Sequence, residues 1–310
     1  MGMKFPDKMT LVDVSPRDGL QSLSKWIPTE VKVRMIDRLS RAGYPVIEVS
    51  GFGSERGLPM LKDAEAVFEQ IQRRPGVIYR GLAPNAYGAK RAVHAKADEI
   101  VGLTVVSQTY LMKNQNMEPQ KAIYEAIQAF RTADENSCSY VAAIGMAFWC
   151  PYEGLIPEQA VIDTVRQLRN GGIQKMYLAG SVGMEDPRHV NTLFAKLGDQ
   201  FSDVKLGFHV HNLSGMGSAN ILAAMDAGAV WLEGSTCGIG GGIAMPLSVG
   251  SVGNYASEDL VRLLDACGVK TDVTNEESLA AATDIAQMLD IEPRSHSMLG
   301  CTRERTLRIK

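Results

Sequence analysis

The chain has 310 residues, 45% hydrophobic and 22% charged, with a formal net charge of −3 at pH 7. That length holds one large domain or two ordinary ones, and the acidic balance offers no basic footprint for nucleic acid or an anionic membrane. The longest apolar stretch, around Tyr140 to Tyr152, is shorter than the roughly 20 residues a membrane-spanning helix needs.

Met1 to Pro6 carries no apolar core of the signal-peptide kind before the first strand-like run. Five cysteines (Cys138, Cys150, Cys237, Cys267 and Cys301) are odd in number and scattered. They suit neither a disulfide framework nor a paired metal knuckle, so free thiols in a reducing cytoplasm are the expectation. Cys237 is read as a buried structural thiol.

Strand-like and helix-like runs alternate along the whole chain. Leu11–Pro16 reads as a strand, and 28–42 as a helix with Val31, Met35, Ile36 and Leu39 at helical spacing, stopped by Gly43. Further strands are expected over 46–50, 77–82, 99–106 and 140–148. Helices are expected over 63–72, 86–96, the stretch leading to Ala133, and 157–169. The sixth strand covers 175–178, with Asp186-Pro187 opening a helix to Leu197. The seventh covers 204–211 with a helix over 217–227. The eighth covers 230–235, followed by the glycine run 238–242 and a helix over 257–266.

Eight strand–helix units over about 270 residues, without a linker or low-complexity break, point to an α/β fold of the (β/α)8 TIM-barrel type. A doubly wound open sheet is the competitor, but no G-x-G-x-x-G turn follows the first strand. Residues 1–268 are assigned to the barrel. Residues 269–310, with a helix-like run over 276–289, are assigned to a C-terminal extension packed on the barrel or on a neighbouring subunit.

Reactive groups in such a barrel gather where the strands end. The first strand brings Arg17, Asp18 and Gln21 there, the second Glu48, and the loop after the third Asn85. The seventh brings His209 and His211, and the loop after the eighth brings Asn254. In His209-Val210-His211 the period of two points both imidazoles the same way. Barrel closure sets Asp18 one strand away from them. Imidazole with oxygen donors suits a divalent ion, Mg²⁺, Mn²⁺ or Zn²⁺. Glu48 is placed to orient a ligand, and Arg17 to meet an anionic oxygen or an enolate. The glycine run can cradle an anion with its amides or simply permit a tight turn.

The segment Ser15-Pro16-Arg17-Asp18-Gly19-Leu20-Gln21 resembles the opening signature of 3-hydroxy-3-methylglutaryl-CoA lyases, a branch of the metal-dependent lyase superfamily of TIM barrels. The resemblance runs collinearly through Val46-Ile47-Glu48, Pro84-Asn85, Cys150-Pro151-Tyr152-Glu153-Gly154, His209-Val210-His211 and Val252-Gly253-Asn254. It covers about residues 8 to 268. It implies a divalent metal, Mg or Mn in preference to Zn, held by Asp18, His209, His211 and Asn254. Arg17 would be the electrophile, Glu48 a supporting carboxylate and His209 a proton carrier. Gln21, Asn85, Ser181 and Gly242 would face a small-molecule substrate, which the family takes as a CoA thioester. A homodimer or higher homo-oligomer follows from the family alone.

Two positions depart from the pattern. Gly242 stands where the family's loop carries a cysteine, with three more residues before Asn254. Ala179-Gly180-Ser181 replaces the family's G-D-T, so Gly180 stands for an aspartate. Losing a positioned proton donor costs about 10²–10⁴ in rate. The expected activity is therefore a metal-dependent carbon–carbon lyase of the retro-Claisen or retro-aldol type, acting on a different 3-hydroxyacyl-CoA or hydroxy acid. Cleavage of 3-hydroxy-3-methylglutaryl-CoA itself, a 2-oxo acid aldolase or condensing reaction, and a non-catalytic metal-binding paralogue are the alternatives.

Overall fold

A computed structural model of the chain describes residues 2–241, 245–246, 253–300 and 307. Gly242 and Cys301 lie outside the described residues. Eight strands close into a parallel barrel in the order β1-β10-β9-β8-β5-β4-β3-β2. The order follows the chain: β1 (Thr10–Asp13), β2 (Val46–Gly51), β3 (Ile78–Ala83), β4 (Glu99–Val105) and β5 (Ser139–Gly145) are neighbours in turn. A short antiparallel hairpin, β6 (Trp149–Cys150) with β7 (Gly154–Leu155), interrupts the series. β8 (Lys175–Gly180), β9 (Lys205–Val210) and β10 (Trp231–Gly234) complete the barrel.

Helices cross between strands, as parallel pairing requires. They are α1 (Thr29–Ala42), α2 (Ala64–Gln70), α3 (Ala86–His94), then α4 (Gln108–Gln115) and α5 (Pro119–Glu135). α6 (Glu158–Asn170), α7 (Pro187–Gln200), α8 (Gly217–Asp226) and α9 (Ser257–Ala266) follow. Their ends carry the expected chemistry. Asn85 caps α3 by accepting from the Gly88 amide, and Asp186, ahead of Pro187, caps α7 by accepting from the His189 amide. Beyond the barrel, α10 (Asn275–Leu289) packs on α1 and α9, and α11 (His296–Leu299) on α9.

Strand residues divide by parity. Val12, Val46, Val101, Val141, Tyr177 and Trp231 fill the barrel interior, while residues such as Leu11, Ile47, Ile100, Ala142 and Leu178 pack outward under the helices. Both faces are buried, which explains the near-continuous apolar runs.

Three expected elements differ. The fifth strand, expected over 140–148, ends at Gly145. The first strand stops at Asp13, and Ser15–Gly19 forms a wide helical turn in which the Gly19 amide donates to the Val14 carbonyl, five residues back, at 3.3 Å. Pro16 has no N–H to offer a strand ladder. The buried Asp13 carboxylate accepts from the Ser15 amide, the Thr236 amide and hydroxyl, and the Ser257 hydroxyl. That anchor fixes the turn that carries Arg17 and Asp18. The helical stretch after the fourth strand breaks in two at Asn116, which takes the left-handed conformation (φ +49°) that asparagine tolerates.

Candidate active site

β1 and β9 are separated by β10 alone, so the turn after β1 and the end of β9 share one mouth of the barrel. There Asp18, His209 and His211, all buried, offer ligand atoms lying within 4.8 Å of one another. The Nε2 atoms of the two imidazoles are 3.1 Å apart, and His211 Nε2 is 3.7 Å from Asp18 Oδ2. β9 itself ends at Val210, and His211 continues it through a bridge to Asn254. Asn254 Nδ2 donates to Asp18 Oδ2 at 2.6 Å and to the Ile239 carbonyl at 3.0 Å, while its buried Oδ1 has no partner among the described residues. Two imidazoles, a carboxylate and an orphaned amide oxygen form a donor set that fits a divalent cation.

The electrostatics agree with that use. Burial, followed by the charge of His209, pushes His211 down to about 3, which leaves it a neutral ligand at physiological pH. Burial alone would raise Asp18, but Arg17, with His209 and His211, holds it below its ordinary value. Arg17 is itself buried, its Nη1 on Asp18 Oδ1 at 2.6 Å and its Nε on Glu48 Oε1. Neither contact uses Nη2, which leaves that nitrogen for an anionic oxygen.

A cavity of about 830 Å³ opens above these groups. Arg17, Asp18, Gln21, Asn85, Ser181, His209 and His211 all line it. Gln21 Nε2 donates to Asp18 Oδ1 at 2.7 Å, and Ser181 Oγ accepts from the Met146 amide at 2.9 Å. Glu48 lies beneath, fully buried behind Arg17. The position of the family's cysteine, Gly242, falls outside the described residues. Of the glycine run, Gly240 is decided by close approach. Its φ is +138°, and a Cβ there would strike the Asn254 amide and lie 3.2 Å from Asp18 Oδ2. Cys237 is buried with its thiol on the Ala282 carbonyl, and burial pushes its pKa up, as a structural thiol requires.

A buried charge ladder under the site escaped the sequence reading. Glu233 Oε2 sits 3.2 Å from His209 Nδ1, and Glu233 Oε1 accepts from Arg80 Nη1 at 2.7 Å and Trp231 Nε1 at 3.0 Å. Arg80 also meets Glu99, which Lys175 closes off at the far end of the barrel. The signal available was an inward-facing charge in three otherwise apolar strands. Glu233 pins the His209 ring so that Nε2 faces the Asp18–His211 side, the usual second-layer arrangement for a metal-binding histidine.

Residues 8–285 match the HMGL-like family. This chain belongs to that family. The relatives it matches are hydroxymethylglutaryl-CoA lyases, carbon–carbon lyases of a metal-dependent family. The chain is 33% identical to the hydroxymethylglutaryl-CoA lyase YngG of Bacillus subtilis (strain 168), over 93% of this chain and 95% of that protein. It is also 33% identical to the mitochondrial hydroxymethylglutaryl-CoA lyase of Mus musculus, over 92% and 87%. Its fold superimposes with a TM-score of 0.91, at 31% identity over 96% of both chains, on an HMG-CoA lyase from Acinetobacter baumannii in complex with coenzyme A and 3-methylmalate. The expected (β/α)8 barrel and HMGL-like membership thus stand. Among the described residues no helix is long and apolar enough to cross a membrane.

Proposed function

We propose that this HMGL-like chain cleaves a carbon–carbon bond in a 3-hydroxyacyl-CoA or related hydroxy acid other than 3-hydroxy-3-methylglutaryl-CoA. Asp18, His209, His211 and Asn254 would hold Mg²⁺ or Mn²⁺. When bound, the ion supplies a positive centre for the hydroxyl and carbonyl oxygens of the substrate. Arg17, held on two sides by Asp18 and Glu48, directs Nη2 at the oxygen on which negative charge grows as the enolate leaves. Gln21, Asn85 and Ser181 orient the acyl group from the walls. Both nitrogens of His209 are engaged, Nδ1 by Glu233 and Nε2 by the ligand cluster. That geometry favours His209 as a ligand over a proton carrier.

The observation that carries this reading is the Asp18–His209–His211 cluster at the floor of a cavity also lined by Arg17. Arg17 on the cavity wall, with Nη2 left over by Asp18 and Glu48, favours catalysis over cation binding alone. Arg56 and Lys113 line the same cavity and suit a phosphate-bearing thioester. A changed acyl group is supported by Gly180 and Gly242, which take the place of the family's aspartate and cysteine. The relatives' activity favours a second reading, cleavage of 3-hydroxy-3-methylglutaryl-CoA itself. Incubating Mg²⁺- or Mn²⁺-loaded protein with a panel of 3-hydroxyacyl-CoA esters, followed by mass spectrometry, separates the two. Turnover of another ester at a higher kcat/KM supports the proposal, and preference for 3-hydroxy-3-methylglutaryl-CoA selects the second reading. Assembly as a homo-oligomer and residence in the cytoplasm belong to the same proposal. Sedimentation and cell fractionation test them.

A further inference from the structure

Glu185 is a buried carboxylic acid on the loop between β8 and α7, only 3% exposed. Its Oε1 has no hydrogen-bond partner among the described residues. An ionisable oxygen left in that state costs free energy, so its surroundings bear on its role. The carboxyl lies against the backbone of Gly180, the last residue of β8. A Cβ built on Gly180 would stand 2.6 Å from Glu185 Cδ and closer still to Oε1. Residue 180 therefore cannot carry a side chain while Glu185 occupies this position. Gly180 is also the glycine that replaces the family's aspartate.

The neighbourhood ties this spot to the ligand strand. The Gly180 carbonyl accepts from the Gly183 amide at 3.0 Å and the His211 amide at 3.3 Å, and the Gly183 carbonyl accepts from the Ser214 amide at 2.9 Å. The loop that Glu185 closes thus braces the segment after His211, and its first residue, Ser181, lines the cavity. Asn220, buried on α8, donates to the Glu185 carbonyl at 3.0 Å and holds the residue from behind. The side chain also falls within the electrostatic reach of His209.

We infer that Glu185 is a positioning residue of this active site, its carboxyl delivered from the loop into the space that a carboxylate at residue 180 would fill. There, on the outer face of the sheet behind Gly180, it fixes the 181–186 loop that braces the His211 segment. While Glu185 holds this position, a side chain at residue 180 is excluded. The inference rests on the lyase reading for its catalytic consequence, and its steric core stands without it.

The test is an exchange cycle: Glu185→Gln, Glu185→Gly, Gly180→Asp and the double variant Gly180→Asp/Glu185→Gly. Melting temperature and Mn²⁺ affinity are measured without substrate, and kcat and KM with the best ester. Glu185→Gln, which keeps the shape, is expected to melt with the native protein. Mn²⁺ affinity and kcat should each fall about tenfold or more, the range for lost second-layer partners, with KM within about threefold. Gly180→Asp alone should melt lower than the native protein. Adding Glu185→Gly should restore both melting and Mn²⁺ affinity. Gly180→Asp melting like the native protein overturns the steric core. Glu185→Gln and Glu185→Gly both keeping native Mn²⁺ affinity reduce Glu185 to filler and overturn its role. A native protein inert towards every ester defeats the lyase reading instead, and the melting and Mn²⁺ arms still decide this inference.

Discussion

Replacing Arg80 with methionine keeps much of the side chain's volume and removes its charge from the centre of the barrel. Arg80 is 1% exposed and bonds two carboxylates, Glu99 and Glu233, at 2.7–2.8 Å. Deleting one partner of a buried ion pair costs about 3–5 kcal/mol, because the remaining charge has lost its compensation. Glu99 would retain Lys175 and the Ser139 hydroxyl. Among the described residues Glu233 would retain Trp231 and His209, both weaker than a guanidinium, so most of the cost falls on Glu233. Unfolding entropy of about 2.1 cal/mol/K per residue gives on the order of 0.65 kcal/mol/K for a chain this long, so the loss is about 5–8 °C in melting temperature.

The pH dependence has a definite sign. Burial opposes ionisation of Glu233, but Arg80 and the His209 hydrogen bond outweigh it and hold the pKa at about 2, below the ordinary 4.5. A depressed carboxylate stabilises the fold above its unfolded pKa, and that stability is lost as pH falls through the folded value. Arg80→Met should therefore melt about 5–8 °C below the native protein at pH 7.5 and approach it as the pH drops below 4.5. Adding Glu233→Gln should return part of the loss at neutral pH. Scanning fluorimetry across pH 2–8 reads these shifts, and in the double variant, where His209 loses the Glu233 carboxylate, divalent-ion affinity should fall about 10–100-fold. Melting of Arg80→Met within 2 °C of native at pH 7.5 would refute the argument.

Two further outcomes follow from named contacts. Gly240→Ala forces a side chain into the Asn254 amide at a φ of +138°, so it should weaken divalent-ion binding and lower the melting temperature. Native ion affinity in that variant, measured by calorimetry, would contradict the close approach. Glu258, buried below Cys237, accepts from the Cys237 amide with both oxygens at 3.2 Å, and burial raises its pKa to about 7. A raised carboxyl favours the fold below its unfolded pKa and loses that contribution, on the order of 3 kcal/mol, as pH rises through 7. Glu258→Gln should thus melt several degrees above the native protein at pH 8.5 and level with it near pH 5. Equal melting at both values would count against it.

The barrel was legible because its signal is repetitive: each apolar run between amphipathic helices is one strand buried on two faces. The ligand cluster was legible through period-two spacing in His209-Val210-His211 and an aspartate at the end of the first strand. Pairing across the closed barrel was not. Arg80, Glu99 and Glu233 are separated by up to 153 positions and meet only once eight strands have closed. Glu185 was hidden for a different reason. Beside Asp186-Pro187 it looks like part of a helix start, and nothing in its own neighbourhood says that its side chain turns back to Gly180. The wide turn over Ser15–Gly19 follows from contacts that Asp13 makes with Thr236 and Ser257, again from the far end of the chain.

The central claim is that Asp18, His209, His211 and Asn254 hold one divalent ion under Arg17. The direct measurement is anomalous diffraction from crystals grown with Mn²⁺, paired with metal content of native protein and Asp18→Ala in solution. One anomalous peak bounded by the four side chains, with one ion per native chain and none in Asp18→Ala, is the predicted result. An ion bound elsewhere, or equal metal content in the two proteins, would contradict it.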